Sequence, residues 1–385
     1  MLPEFLDFSM RTRVMGAPGL VRELGDQVSR IGGTRAFVVA DRTLEKLGLV
    51  GRAVNGLTAG GVAVAGQFLD VPPNSDVGVV EQAAAAAGRA GGDVLVAIGG
   101  GSVIDTAKGM NMILSKGGSL MDYQGLGLVN DPLGKLVAVP TTAGTGSEVT
   151  NMAVIKDPEA RVKYSFTSPY LGPDLAILDP EVTVGLPPQL TASTGMDALT
   201  HAVEAYLSLS ANPVSDALAL YATKVVRDWL PKATHEGSNV EARYWMLIGS
   251  NTAGAAFSNA LVGCVHAMAH ALGGLFSIPH GLANAVLLAP GLEFNLDFAA
   301  ARIAELAPAF RLAPAAAEEA TAKAVVEAVK ALAKECGLPD RLRDLGVPPD
   351  GLEAAAEAAA ADGAIFTNPR PATAEELLEV LKRVF

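Results

Sequence analysis

At 385 residues, half of them hydrophobic and only 18% charged, the chain has globular composition with room for two or three domains. A net charge of −12, with no basic run or basic amphipathic stretch, excludes nucleic acid and anionic membrane as expected partners. No window approaches a charge-free bilayer span, the amino end MLPEFLDFSMRTRV lacks a signal-peptide core, and two cysteines, Cys264 and Cys336, are too few for a disulfide framework; a cytoplasmic protein is expected.

The first half alternates short β-branched runs with helical segments. Residues 35–40 (RAFVVA) and 63–68 read as strands, and alanine-rich 77–89 as a helix bounded by Gly91 and Gly92. Residues 93–98 (DVLVAI) form a strand running into Gly99-Gly100-Gly101-Ser102; 135–139 form another, stopped by Pro140, and 176–178 one of the last. This alternation predicts βαβ units and a mostly parallel sheet covered on both faces. After Pro187-Pro188 the strand pattern stops. Helices are expected over 196–208, 213–230, 242–259, 262–272, 298–310, 315–336 and 373–384. The chain therefore divides into an α/β part, 1–182, and an all-α part, 183–385.

Residues 263–281, GCVHAMAHALGGLFSIPHG, hold three of the five histidines. His266 and His270, four residues apart, share one face of a helix; Gly273 and Gly274 end that pattern, and Pro279 and Gly281 frame His280 in a turn. Upstream, TGMDALTH sets Asp197 and His201 at i, i+4 on another helix. One carboxylate with imidazoles suits Fe(II) or Zn(II) better than Mg(II) or Ca(II). His235, in a polar loop, is expected to be solvated, and Cys264 to be a small buried residue.

The α/β part carries two loops fit for phosphate. The strand–GGGS–helix unit places glycines at a helix amino end, where backbone amides approach an anion. It is not GxGxxG, because Ile104 stands where the third glycine would fall. PTTAGTGSE, 140–148, follows another strand and offers hydroxyls and flexible backbone. Both loops sit where open α/β sheets bind nucleotides, at the carboxyl ends of strands. Asp41, closing its strand, can accept from a ribose diol or cap the helix before Leu44.

GGGSVIDTAK, PTTAGTGSEVT, TGMDALTHAVEAY, AFSNALVGCVHAMAHALGG and PHG, in that order, resemble the iron-containing (group III) alcohol dehydrogenases, a family that includes lactaldehyde reductase, 1,3-propanediol dehydrogenase and butanol dehydrogenase. The resemblance runs from Val14 to Asn368-Pro369-Arg370. It implies a dehydroquinate synthase-like fold: an α/β dinucleotide-binding domain with a mostly parallel sheet, then an all-α metal-binding domain. Asp197, His201, His266 and His280 match the metal ligands, for Fe(II) with Zn(II) as the alternative, and His270 matches a non-ligand histidine near the nicotinamide that can move protons. Gly100, Gly101 and Ser102, with Asp105 in the same motif, match the pyrophosphate loop, and Thr141, Thr142 and Thr145 the second cofactor loop. Lys163 and Leu178 match positions lining the nucleotide, Phe257 lies beside the nicotinamide, and Asp41 favours NAD by repelling the 2′-phosphate of NADP. Pro72-Pro73-Asn74-Ser75 replaces the commoner Pro-Asn-Pro, so Asn74 is a cofactor position reached by a different turn.

The implied activity is reversible hydride transfer between NAD and a short primary alcohol, diol or hydroxyaldehyde, by a homodimer or higher homo-oligomer. Alternatives on the same fold are a hydroxyacid–oxoacid transhydrogenase, a zinc polyol dehydrogenase and a dehydroquinate-synthase-like lyase; a more distant one is a non-catalytic nucleotide- or metal-binding protein. Ala143, Met152, Ala260, Leu261 and Val265 are expected to give an apolar pocket.

Overall fold

The computed structural model describes residues 6–160 and 162–385. Contacts divide the chain into two compact units. One comprises Ser9–Thr142 and Gly146–Gly185; the other comprises Leu186–Phe385 together with Ala143–Thr145 and residues 6–8. The change comes a few residues past the expected boundary, and Ala143–Thr145, which the sequence reading left in the α/β part, groups with the helical unit.

The α/β unit runs β1 (Arg13–Gly16), α1 (Leu24–Arg30), β2 (Arg35–Val39), α2 (Arg42–Lys46), α3 (Leu49–Ala59), β3 (Ala63–Phe68), α4 (Val77–Ala90), β4 (Val94–Gly99), α5 (Gly101–Lys116), β5 (Gly125–Leu126), β6 (Lys135–Pro140), β7 (Met152–Asp157), β8 (Val162–Thr167) and β9 (Leu175–Leu178). Its main sheet, in the order β1-β9-β6-β4-β2-β3, is parallel throughout. Alternate residues of the central strands feed two separate cores. Phe37, Val39, Leu95, Ala97 and Ala138 pack on one face, and Ala36, Val38, Val94, Val96, Ile98 and Val139 on the other. All six residues of β4 are buried, which is why its sequence is an unbroken apolar run rather than an alternating one.

Two features escaped the sequence reading. β1 is only four residues long and pairs with β9 at the sheet's edge. The second sheet, β5-β8-β7, contains an antiparallel β7–β8 hairpin. Its signal was present, because Ala153, Ile155 and Phe166 are buried between more exposed neighbours on a period of two.

Parallel pairing aligns strand ends. Gly99 stands opposite Pro140, and Thr141 N donates to Gly99 O (3.1 Å), so the glycine loop after β4 and the threonine loop after β6 leave one edge side by side. Asp41 follows β2 at the same edge.

The helical unit consists of α6 (Pro188–Leu207), α7 (Pro213–His235), α8 (Val240–Ala260), α9 (Cys264–Phe276), α10 (His280–Ala304), α11 (Glu318–Glu335), α12 (Leu352–Ala360) and α13 (Ala374–Arg383), and no strand follows β9 among the described residues. α9 continues through Gly273 and Gly274 to Phe276, so those glycines do not stop it. His280 opens α10 rather than sitting in a turn. Of the helix expected at 298–310, residues 298–304 are the tail of α10, which starts eighteen residues earlier, passes through Pro290 and loosens at Ala299 (φ −132°), and the remainder is turns. Pro290 obscured it, because proline breaks the helical pattern in sequence although its neighbours here remain helical. α12 falls on the alanine tract 354–361, whose composition suits a helix. No single helix among the described residues is long and apolar enough to cross a membrane.

One crossing in the α/β unit depends on glycine. A Cβ on Gly56 would stand 2.1 Å from Val21 O, and one on Gly60 2.5 Å from Asp26 N. Here α3 lies backbone against backbone on the segment 21–26, with no flexible side chain to give way. Gly56→Ala is expected to destabilise the protein by roughly 1–3 kcal/mol in urea unfolding, the usual cost of overpacking; unchanged stability would show that the crossing can separate freely.

Candidate metal centre

The helical unit is centred on α6. From Thr191 to Leu207 every residue except Thr194 is buried. Asp197, His201 and Glu204, at i, i+4 and i+7, share one face of this helix. Three further helices bring groups to that face: α8 brings Phe257, α9 brings His266 and His270, and α10 brings His280 and Asn284. Gly281 permits the approach of α10, since a Cβ there would meet Ser193 O of α6 at 2.5 Å.

One donor atom from each of Asp197, His201, His266 and His280 lies within 4.8 Å of all the others. From Asp197 Oδ1, His280 Nε2 is 3.4 Å away, His266 Nε2 3.9 Å and His201 Nδ1 4.0 Å. Asp197 is 1% exposed and His266 2%. The His201 ring stacks on Phe257 with centroids 4.2 Å apart, which fixes its plane. Burial pushes His201 down to about 3, against the pull of Asp197, and holds His266 well below its ordinary value. Both rings are neutral in the fold, with lone pairs to give.

Polar neighbours complete the cluster. Asn284 Nδ2 donates to Asp197 Oδ1 (2.6 Å) and lies 3.2 Å from His280 Nε2. Glu204 faces His266 Nδ1 at 2.6 Å. Burial raises the Glu204 carboxyl, while backbone N–H groups of Gly263, Val265 and His266 pull it the other way. His270 is outside the four-donor set. Its ring stacks on His280 (5.4 Å), and its Nδ1 is bound to Asp362 at 3.0 Å, so only Nε2 remains to exchange protons.

The α/β unit gathers most of the expected cofactor residues. Gly100 caps α5 in extended conformation, and a Cβ on it would stand 3.1 Å from Thr142 Oγ1, so the two loops lie in close approach there. Ser102 Oγ accepts from Asn74 N (3.0 Å), and Lys163 Nζ donates to Asn74 Oδ1 (3.4 Å). Asn74 takes a left-handed φ of 54°, and the altered turn brings its backbone N to the loop and its side chain to Lys163. Asp41 does cap α2, through Leu44 N (2.9 Å). Asp105 accepts from Ser147 Oγ and Val154 N, and so braces the second loop. Leu178 is 3% exposed. Thr145 groups with the helical unit, apart from Thr141 and Thr142.

Other expectations are revised. Ala260 and Val265 are buried in the core, and Val265 packs against Gly291. His235 is exposed as expected, yet its Nε2 meets Glu335 O at 2.9 Å. Cys264 is fully buried and free.

A family model for iron-containing alcohol dehydrogenase matches residues 11–180, and one for the C-terminal part of the Fe-containing alcohol dehydrogenase family matches residues 191–385. The chain belongs to the iron-containing alcohol dehydrogenase family. It is 40% identical to 1,3-propanediol dehydrogenase of Klebsiella pneumoniae, covering 96% of each chain. With the NAD-dependent methanol dehydrogenase of Bacillus methanolicus it shares 37% identity over 94% of this chain and 96% of that one. The crystal structure of a 1,3-propanediol oxidoreductase superposes with a TM-score of 0.96 at 38% identity, over 99% of this chain and all of the other.

The residues of this family member fit the metal that the family name implies. Three imidazoles and a carboxylate are a donor set for Fe(II) or Zn(II). In the cluster, the buried atoms His201 Nδ1 and Asn284 Oδ1 have no hydrogen-bond partner, as expected of a polar site built to be completed by a cation. The sequence reading missed Glu204, Asn284 and Asp362. Glu204 was detectable as an acid seven residues after Asp197 on the same helix face, and Asn284 as a polar residue one turn after His280. Asp362 gave no signal, lying 92 residues from His270.

Histidine burial has a pH consequence. In the unfolded chain a histidine takes its proton near pH 6.5, roughly, whereas folded His201 does so only at about 3. Between these values the unfolded state binds more protons, so stability falls as pH falls, by up to about 1.4 kcal/mol per unit for this group. Glu204, shifted upward in the fold, offsets part of the loss above its unfolded value. Metal-free His201→Phe, which keeps the stack on Phe257, is expected to lose urea stability less steeply than wild type between about pH 6 and 4.5. An equal slope would mean that His201 is charged in the fold.

Proposed function

We propose that this chain is an NAD-linked dehydrogenase of short primary alcohols, diols or hydroxyaldehydes that also reduces the matching aldehydes, with Fe(II) held by Asp197, His201, His266 and His280. The observation that carries the proposal is the convergence of these four side chains on one point of the helical unit, within a chain of this family. When bound, the metal supplies Lewis-acid polarisation of the substrate oxygen, and NAD supplies the hydride acceptor.

The chain's own residues do the rest. Phe257 holds the His201 ring in plane, and Asn284 holds the Asp197 carboxylate. His270, anchored through Nδ1 by Asp362, presents Nε2 as the group that takes and gives the alcohol proton. In the α/β unit the helix-opening amides at Gly101 and Ser102 receive the pyrophosphate. Thr141, Thr142, Thr145, Asn74 and Lys163 supply hydroxyl, amide and ammonium contacts, and Asp41 receives the adenine ribose. A cytoplasmic location and a homodimer or larger homo-oligomer belong to the same proposal; light scattering that gives a monomer at micromolar concentration would remove the second.

Asp197→Ala is expected to purify folded but without metal by elemental analysis, with kcat/KM for an alcohol reduced about a thousandfold or more. Full activity in a metal-free variant would sink the assignment. Asp41→Gly should keep α2, because glycine is tolerated at a helix amino cap. It should raise the NADP-to-NAD ratio of kcat/KM about tenfold by removing like-charge repulsion. An unchanged ratio would take cofactor choice away from Asp41.

A further inference from the structure

Glu204 is buried and lies outside the four-donor set, yet three interactions converge on it. Val265 N donates to Oε1 at 2.7 Å, His266 N donates to Oε2 at 3.2 Å, and His266 Nδ1 lies 2.6 Å from the same Oε2. The first two are N–H donors with no alternative role, so both oxygens already act as acceptors. With Glu204 ionised, its Oε2 accepts a hydrogen bond from His266 Nδ1–H, which keeps the hydrogen on Nδ1 and leaves the lone pair on Nε2. Nε2 is the atom that faces Asp197 Oδ1, at 3.9 Å. The opposite tautomer would point an N–H at the other three donors.

The surroundings hold Glu204 to this task. A Cβ on Gly263 would stand 3.0 Å from Glu204 Oε1 and 2.8 Å from Asn368 Oδ1, so this glycine keeps open the space that both side chains occupy. Asn368, 104 residues away in sequence, accepts from Cys264 N (3.1 Å) and exchanges amide hydrogen bonds with Asn295 (3.1 and 2.8 Å). The amino end of α9 is thus satisfied by two separate groups: Asn368 takes Cys264 N, while Glu204 takes Val265 N, His266 N and the imidazole. Of these two groups, Glu204 is the one that touches the ring.

We propose that Glu204 is a positioning residue for the metal centre, fixing the Nδ1–H tautomer and the orientation of His266 so that Nε2 is presented as a ligand, and that Asn368 caps the same helix without that role. The inference rests on the metal reading above. An outer carboxylate of this kind contributes roughly 10- to 100-fold to metal affinity.

The test is a chelator-competition titration of the full-length metal-free protein with Zn(II) and Co(II), on wild type, Glu204→Gln and Asn368→Ala. In Glu204→Gln the amide oxygen can still accept from Val265 N, but its NH₂ then faces Nδ1 and selects the wrong tautomer. We expect Zn(II) to bind at least about tenfold more weakly there, with an altered Co(II) visible spectrum and urea stability near wild type. In Asn368→Ala we expect stability to fall and Zn(II) affinity to stay within about threefold of wild type. Equal affinities for wild type and Glu204→Gln, or a loss in Asn368→Ala matching that in Glu204→Gln, would overturn the proposal. If Glu204→Gln does not fold, long-range ¹H–¹⁵N spectra of the Zn(II)-loaded wild type decide: His266 protonated at Nδ1 supports it, and at Nε2 overturns it. Wild type that binds no stoichiometric metal would fail the metal reading itself, a result distinct from either of these.

Discussion

A carboxylate removed from water inside a helical core is the condition around which the helical unit is built. Asp197 is almost wholly buried on α6, and an ion so placed without partners costs several kcal/mol. The unit meets this with polar groups rather than by exposing the acid. Asn284 donates to it, three imidazoles face it, and burial keeps at least two of those imidazoles neutral. Uncharged rings around an anion leave the cluster short of positive charge, and a divalent cation supplies what is missing. Cluster and core are therefore one arrangement, because the helices that seal Asp197 from water are those that carry its partners.

Close helix approach makes this geometry attainable. Gly281 lets the start of α10 lie on the backbone of α6, and Gly263 leaves space for Glu204 and Asn368 at the start of α9. Between α8 and α9 the chain turns through Leu261 at a φ of 63°, a conformation costly for a branched side chain and maintained by the packed helices on either side. The same economy of space appears in the α/β unit, where Gly100 allows the loop after β4 to touch Thr142 and Asn74 adopts a left-handed turn to reach Ser102. In that unit precision comes from parallel pairing, which fixes where neighbouring strands end and so where their loops emerge.

The two units carry their functional groups differently. The helical unit places its donors on helices whose faces are buried, so each side chain is held by packing on several sides. The α/β unit places its groups on loops at a sheet edge and steadies them with a second layer: Asp105 accepts from Ser147 and Val154, and buried Lys108 donates to Thr150 and Met152. Those contacts tie α5 to the segment after the threonine loop, so the cradle rests on a buried polar network rather than on loop stiffness alone.

Local pattern determined a good deal. The β-branched runs at β2, β3, β4, β6 and β9 marked the main sheet, the change after Pro187-Pro188 marked the helical half, and the i, i+4 spacing of Asp197 and His201 placed both on one helix face. These properties depend on residues within a turn or a strand of one another, and periodicity encodes them. Only the tertiary structure decided that α9 runs on through its glycine pair, that α10 survives Pro290, and that Asp105 faces inward, because neighbouring elements override local propensity there. It alone joined Asp362 to His270, Asn368 to Cys264 and Glu204 to His266, across 92, 104 and 62 residues. Such pairs have no sequence signature, since what brings them together is the packing of whole helices and not the spacing along any one of them.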